Sequence, residues 1–133
     1  ALCIGDVDVG IDIEKLTKVD SAIRHSFGKV EEEYINTAYS VKEKDHHILK
    51  TWVAMESYLK FKGTGLLVDL STFNVLCRQK IVVNVKDFDQ ISYLHFQEIQ
   101  NYICCFCTEK PNPVYTIETR NINEVYEEYL TSN

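Results

Sequence analysis

The sequence predicts an α+β fold in which an antiparallel sheet packs on one long central helix. Three observations lead to this prediction: a strictly alternating strand pattern near the start, one long helical pattern in the middle, and several short β-rich segments after it. No internal repeat or linker interrupts the 133 residues. We therefore expect a single domain over residues 1–133, which is long enough to bury a core of its own.

The composition argues against two classes of function. The chain has fourteen Lys and Arg residues and twenty Asp and Glu residues, for a net charge of −6. A domain that binds nucleic-acid phosphates needs a clustered excess of basic residues. No apolar run approaches the ~20 residues that a membrane-spanning helix requires. We expect neither nucleic acid nor membrane as a partner.

The five cysteines predict the compartment. Cys104, Cys105 and Cys107 crowd one apolar stretch, where neighbouring thiols cannot all cross-link with one another. We interpret them as reduced, which predicts an intracellular, cytoplasmic protein.

The first predicted strand runs from Val7 to Glu14. Apolar residues alternate there with Asp8, Gly10, Asp12 and Glu14, so Asp12 and Glu14 project from the same face, a few ångströms apart. Two such carboxylates can share one Mg²⁺ ion, which keeps its other positions for water and phosphate oxygens. The alternative is an ordinary solvated strand face, because acidic residues continue the same row upstream.

Two short helical stretches are predicted next. Asp20 and Ser21 offer an N-cap for a stretch that reaches Phe27, and Gly28 can end it in the left-handed conformation. A second helix is expected from Val30 to about Tyr39, with glutamates in its first turn.

The longest helical pattern starts at Asp45 and ends at Gly63-Thr64-Gly65, a turn that we interpret as its C-cap. His46 and His47 are adjacent, about 100° apart on a helix, which suits neither a shared metal nor a catalytic relay. We expect them at an exposed helix start.

Within this helix, Trp52, Glu56 and Lys60 recur every fourth residue and so share one side. A metal-binding or proton-accepting Glu beside a phosphate-neutralising Lys has this spacing. An ordinary surface Glu-Lys pair, worth about 0.3 kcal/mol, has the same spacing.

Five β-rich segments follow the helix, and a short helix over Glu124–Leu130 closes the chain. The predicted strands are Phe73–Arg78, Lys80–Val85, Ile91–Gln97, Tyr102–Cys107 and Val114–Thr119.

Three segments in this order resemble the 4'-phosphopantetheinyl transferase superfamily. They are V-G-I-D-I-E at 9–14, F-G-K-V-E at 27–31 and W-V-A-M-E-S-Y-L-K-F-K-G-T-G-L at 52–66. The family combines a G-(I/V)-D strand with a W-x-x-K-E-(A/S)-x-x-K helix that ends in a glycine-rich turn. Each segment is a weak signal, but three in register over about sixty residues make a fairly specific match.

The resemblance implies transfer of the phosphopantetheine arm of coenzyme A to a serine of an acyl or peptidyl carrier protein, with Mg²⁺ as cofactor. It places Asp12, Glu14 and Glu56 on the family's metal-binding acids. It places Lys60 on the lysine that contacts the pyrophosphate, with Gly63 and Gly65 beside it in the coenzyme A site. Physically, Lys60 and the cation would stabilise charge on the leaving group, and Glu56 could help to deprotonate the carrier serine.

Two features depart from the family pattern. Met55 stands where the motif usually has Lys, so a phosphate-binding charge is missing. The family also has two builds, a short trimeric synthase and a longer chain of two similar halves. The continuation after Glu14 and the Val114–Leu130 tail look more like the C-terminal half of the second build. We therefore expect a missing N-terminal half, or self-association, to complete the site, and we expect the chain alone to transfer inefficiently.

Other interpretations stay open. A degenerate, non-catalytic half could bind a carrier protein or a partner subunit, and an acidic α+β domain could have no site at all. For an active transferase, Ile23 and Phe27 are candidates for the carrier docking surface, with burial in the core as the alternative.

Overall fold

A computed structural model describes residues 3–19, 21–65, 68–72, 74–75 and 92–132. Its elements are, in chain order, β1 (Val9–Lys15), a 3₁₀ turn (Ser21–Ser26), α1 (Lys29–Ile35), α2 (Val41–Lys62), a 3₁₀ turn (Leu70–Thr72), β2 (Tyr93–Ile99), β3 (Tyr102–Thr108) and α3 (Ile122–Ser132). The predicted α+β class, with a sheet packed on a long helix, is confirmed.

The described strands form one antiparallel sheet in the order β1-β3-β2. A tight turn at Gln100, which adopts a left-handed φ of 55°, joins β2 to β3. The register sets Gly10 opposite Cys107, and Asp12 opposite Cys105. Because side chains alternate across a strand, Gly10, Asp12, Cys105 and Cys107 all lie on the same face of the sheet.

Helix α2 lies across that face and forms the core with it. The buried apolar cluster draws on α1, α2, β2 and β3; among its members on α2, β2 and β3 are Val53, Ala54, Met55, Tyr58, Leu59, Leu94, Ile103, Cys105 and Cys107. The apolar residues of β1 alternate with Gly10 and Asp12, so they lie on the opposite face of the sheet. The acidic face of β1, rather than its apolar face, therefore packs against the central helix.

Helix α2 begins at Val41, four residues before the predicted start at Asp45. Its N-cap is Ser40, whose hydroxyl accepts a 3.1 Å hydrogen bond from the Glu43 backbone N–H. The Glu43 carboxylate in turn accepts from the Tyr39 N–H at 2.7 Å. This reciprocal pattern satisfies two backbone donors and fixes the start of the helix.

The predicted C-cap is confirmed. Gly63 adopts φ 66°, ψ 15°, and its N–H and that of Thr64 bond back to the carbonyls of Lys60 and Leu59. Glycine reaches this left-handed conformation without the steric cost that a β-carbon adds.

Two local predictions are wrong. Gly28 is extended, at φ −76° and ψ 171°, and precedes α1 as its N-cap instead of ending the stretch before it in a left-handed conformation. Residues 114–119 form no strand, and Val114 is fully exposed. β-propensity alone does not produce a strand, because strand formation depends on the tertiary context.

Other boundaries differ from the prediction. Helix α1 ends at Ile35 instead of Tyr39, and β2 begins at Tyr93. The predicted strand Phe73–Arg78 lies outside the described residues apart from 74–75, and Lys80–Val85 lies entirely outside them. No helix in the described parts of the chain combines the length and apolarity needed to cross a membrane.

His46 and His47 are not an exposed helix start. They lie inside α2 and are partly buried: the His46 ring bonds to the Glu98 carboxylate of β2 at 2.7 Å, and His47 stacks on Tyr34 at 4.2 Å. These contacts fasten the first half of α2 to the sheet and to α1.

The four cysteines in the described part of the chain are free thiols. Cys105 is fully buried, where it accepts a 3.3 Å hydrogen bond from the Ser57 hydroxyl of α2. Burial raises the pKa of the Cys105 thiol above its ordinary range, and it raises the pKa of Cys107 to about 12. Both thiols are therefore protonated and serve as core packing.

Candidate active site

The site is built where β1 crosses α2, at Gly10. A β-carbon on Gly10 would lie 1.9 Å from the Ser57 carbonyl oxygen and 2.3 Å from the Phe61 nitrogen. Only glycine allows the strand and helix backbones to approach this closely. Asp12 and Glu14 follow Gly10 on the same face of the strand. This face is therefore directed towards the side of the helix that carries Glu56 and Lys60.

Asp12 and Lys60 form an ion pair across this crossing. The Lys60 Nζ donates to Asp12 Oδ1 at 2.6 Å. The Asp12 side chain is only 12% exposed, whereas that of Lys60 is 49% exposed. Asp12 Oδ2 is buried and has no hydrogen-bond partner in the described structure. One oxygen of this largely buried carboxylate is thus paired with Lys60, while the other has unused acceptor capacity.

Glu56 lies within electrostatic range of both strand acids. Its pKa is raised above the ordinary value, chiefly by burial, and further by the negative charges of Asp12 and Glu14; Lys60 opposes the shift. The spacing on the helix therefore does not produce an isolated Glu56–Lys60 surface pair. Lys60 pairs with Asp12 of the strand, and the charge of Glu56 is coupled to the acids of β1.

These carboxylates suit a small hard cation. Mg²⁺ is typically held by one or two carboxylates, with water and substrate phosphate completing its shell. Asp12 and Glu56, which lie within electrostatic range of each other, are acids of the type that such a cation prefers. In the parts of the chain that the structure describes, no three Asp, Glu, His or Cys side chains are arranged to hold a metal ion by themselves.

The turn after Lys60 has open space around its backbone. Gly63 and Gly65 both have a left-handed φ, of 66° and 61°, and no described residue beyond their chain neighbours has an atom within 4 Å of the place where a β-carbon would be. A ligand could therefore approach this backbone closely. Because the turn ends a helix, its orphan groups are carbonyls, so any positive charge for a phosphate here comes from side chains such as Lys60.

Met55 is fully buried in the core, in agreement with its expected role as a core residue. A lysine at this position would have to bury its ammonium group or extend its stem out of the core to reach a phosphate. The two residues suggested for carrier docking both pack in or against the core: Ile23 is partly buried against it, and Phe27 is 5% exposed and belongs to it. Phe27 therefore cannot contact a carrier protein.

The sequence interpretation included Glu31 only as a first-turn glutamate and as part of F-G-K-V-E, and it did not predict a buried role for this residue. It is fully buried, and its carboxylate accepts a 2.8 Å hydrogen bond from the Val75 N–H. The same carboxylate lies near Gly28, where an added β-carbon would come within 3.1 Å of it. The spacing from the N-cap Gly28 to Glu31 was the available signal, because a glutamate three residues after an N-cap often bonds to nearby backbone.

Comparison with known proteins agrees with this geometry. The family model of the 4'-phosphopantetheinyl transferase superfamily matches residues 8–107, a range that includes the whole strand–helix crossing. The chain belongs to this superfamily.

Individual relatives are distant. "4'-phosphopantetheinyl transferase psf-1" of Bacillus pumilus is 23% identical over 118 residues, which cover 86% of this chain and 51% of that protein. The chain thus spans about half the length of this curated relative.

Solved structures share the fold. A holo-(acyl-carrier-protein) synthase from Bacillus anthracis, in complex with CoA (3',5'-ADP), has a TM-score of 0.62 at 17% identity, covering 76% of this chain and 93% of that one. The ACPS-CoA complex from Chronobacterium ammoniagenes has a TM-score of 0.56 at 16% identity, covering 77% and 96%.

Proposed function

We propose that this chain carries the catalytic acids and the lysine of a transferase that moves the 4'-phosphopantetheine arm of coenzyme A to a serine of an acyl or peptidyl carrier protein. The observation that carries the proposal is the contact between Asp12 and Lys60 across the Gly10 crossing, with Glu56 within electrostatic range of both. The superfamily match over the same segment and the coenzyme A complexes among the structural neighbours support it.

In this reaction, the carrier serine hydroxyl attacks the phosphorus next to the pantetheine arm. The bond from that phosphorus to the bridging pyrophosphate oxygen breaks, and adenosine 3',5'-bisphosphate leaves. The serine proton needs an acceptor, and Glu56 has a pKa raised towards the range in which a carboxylate is an effective base. The Lys60 ammonium stabilises negative charge on the leaving phosphate.

Mg²⁺ would be held by Asp12 and Glu56, with Glu14 as a further acid of the same strand face. When bound, the ion would neutralise pyrophosphate charge and polarise the reacting phosphoryl group. The close approach at Gly10 fixes the separation of strand and helix, which keeps the acids of the two elements within electrostatic range of one another.

We propose residues 1–133 as one domain whose site is completed by a missing N-terminal half or by a second copy. The length difference from the Bacillus pumilus relative supports this completion. The sheet face opposite α2 also supports it, because Val9, Ile11 and Ile13 are only partly buried there. The buried free thiols suit a reducing compartment, and we propose the cytoplasm as the location.

For the carrier, we propose docking beside the start of α2. An open groove of about 550 Å³ lies there, with apolar Leu16 and Leu49 and with Lys18 and Lys42 among its lining residues. The two lysines would attract an acidic partner surface. Lys18→Glu should raise the KM for the carrier, whereas Lys29→Glu, an exposed change on α1, should not.

The function is tested by incubating the 133-residue chain with an apo carrier protein, coenzyme A and Mg²⁺, and following the carrier by mass spectrometry. We expect slow addition of the arm by the chain alone, faster addition when an upstream half is restored, and loss of addition with Glu56→Gln. Glu33→Gln, an exposed change on α1, is the matched control and should retain activity.

Two other results are informative. Carrier binding without any addition, even with the upstream half restored, would favour a non-catalytic half. Rapid stoichiometric addition by the chain alone would show that self-association supplies the rest of the pocket.

A further inference from the structure

We propose that Lys60 is a built-in counter-cation of the acidic site. Its ammonium group pairs with the Asp12 carboxylate in the absence of metal. When a divalent cation binds this carboxylate, the ammonium group is displaced towards the coenzyme A phosphates. The inference rests on the proposed function and adds an exchange between two cations at one carboxylate.

The Asp12 side chain is largely buried. This side chain is 12% exposed, so its negative charge needs a close compensating charge or a ligand. Lys60 supplies that charge at 2.6 Å, through Oδ1 alone. The partnerless Oδ2 leaves the carboxylate half satisfied. The Lys60 contact therefore compensates the charge of Asp12 without using all of its acceptor capacity.

An ammonium group and a divalent cation compete for the Asp12 carboxylate. A metal bound by Asp12 and Glu56 would lie within a few ångströms of the present Lys60 Nζ. Like charges at that distance repel strongly in a partly buried site.

The Lys60 side chain can change its conformation. It lies in the last turn of α2, and its side chain is half exposed. A lysine stem has four rotatable carbons, so the ammonium can leave Asp12 while the helix stays in place. The glycine turn that follows leaves open space beside its backbone at Gly63 and Gly65. The released ammonium is then free to meet a phosphate.

The test measures metal binding directly, without turnover. Mn²⁺ binding to the chain, without coenzyme A, is followed by electron paramagnetic resonance of free Mn²⁺ at constant pH. We expect Lys60→Met to bind Mn²⁺ about tenfold more tightly than the wild type, because a competing unit charge has been removed. Lys60→Arg, which keeps the charge, should bind nearly as weakly as the wild type.

Lys29→Met is the matched control, since Lys29 is exposed on α1, and it should leave Mn²⁺ affinity unchanged. Circular dichroism establishes that each variant is folded. Equal or weaker Mn²⁺ binding by folded Lys60→Met would overturn the counter-cation proposal. If the wild type then still transfers the arm, the proposed function survives; if carrier modification is also absent with the upstream half restored, both fail.

Discussion

Gly10 and Ser57 are in backbone contact where β1 crosses α2, and no residue with a β-carbon fits at position 10 without displacing the helix. The β-carbon would lie 1.9 Å from the Ser57 carbonyl oxygen. This contact sets the distance between the strand that carries Asp12 and the helix that carries Glu56 and Lys60. A packing constraint in the core thereby determines the geometry of the site.

Gly10→Ala should therefore lower the free energy of unfolding by about 3 kcal/mol or more, because backbone atoms must shift. Urea denaturation measures the change. Gly5→Ala is the matched control: its β-carbon would find only ordinary contacts, the nearest at 3.7 Å, and the expected change is within about 0.5 kcal/mol. Equal stability of the two variants would contradict the backbone contact.

Glu31→Ala tests the buried carboxylate, whose role the sequence interpretation did not predict. The substitution removes the acceptor of the Val75 N–H and should cost about 2–3 kcal/mol of unfolding free energy. The exposed Glu33→Ala on the same helix should change it by less than about 0.5 kcal/mol. A neutral Glu31→Ala would mean that this hydrogen bond does not stabilise the fold.

Much of the architecture follows from local patterns. The alternation around Asp12 predicts the strand, and the Gly63 turn correctly predicts the end of α2. The start of α2 was also readable, since Ser40 and Glu43 have the capping-box spacing. The strand over residues 114–119 was wrong because strand formation depends on the tertiary context, which no local pattern provides.

The site was only partly predictable. Sequence spacing placed Asp12 with Glu14, and Glu56 with Lys60, as two separate pairs. Their meeting depends on which face of β1 packs against α2, and the apolar alternation gives no reason to expect the acidic face. That choice depends on the Gly10 contact, a tertiary feature.

The raised pKa of Glu56 predicts a pH dependence of stability. The folded state binds the Glu56 proton more tightly than the unfolded state does, so protonation of Glu56 stabilises the fold. This stabilisation is fully present below the ordinary pKa of 4.5, and it is lost as the pH rises through the pKa of Glu56 in the folded protein. Glu56→Gln cannot ionise. Its stability relative to the wild type should therefore increase from pH 4 to pH 7 in paired urea titrations. A pH-independent difference would show that Glu56 titrates normally.

Met55→Lys tests whether the missing motif lysine limits activity. Because Met55 is fully buried, an unpaired ammonium group there should cost about 3 kcal/mol or more. Met55→Leu, a similar volume, should cost less than about 1.5 kcal/mol. We expect no gain in the transfer rate from the lysine variant with the upstream half restored. A stable Met55→Lys protein with faster transfer would show that a charge at position 55 reaches the phosphates.

The most direct test of the account is a crystal structure of the chain grown with Mn²⁺ and coenzyme A, with the metal located by its anomalous signal. We predict a single strong anomalous peak at the strand–helix crossing, from a metal ion bound by Asp12 and Glu56. The Lys60 ammonium group should then contact a phosphate oxygen of coenzyme A. A crossing without a metal peak, with Lys60 still on Asp12 while coenzyme A is bound elsewhere, would contradict this prediction.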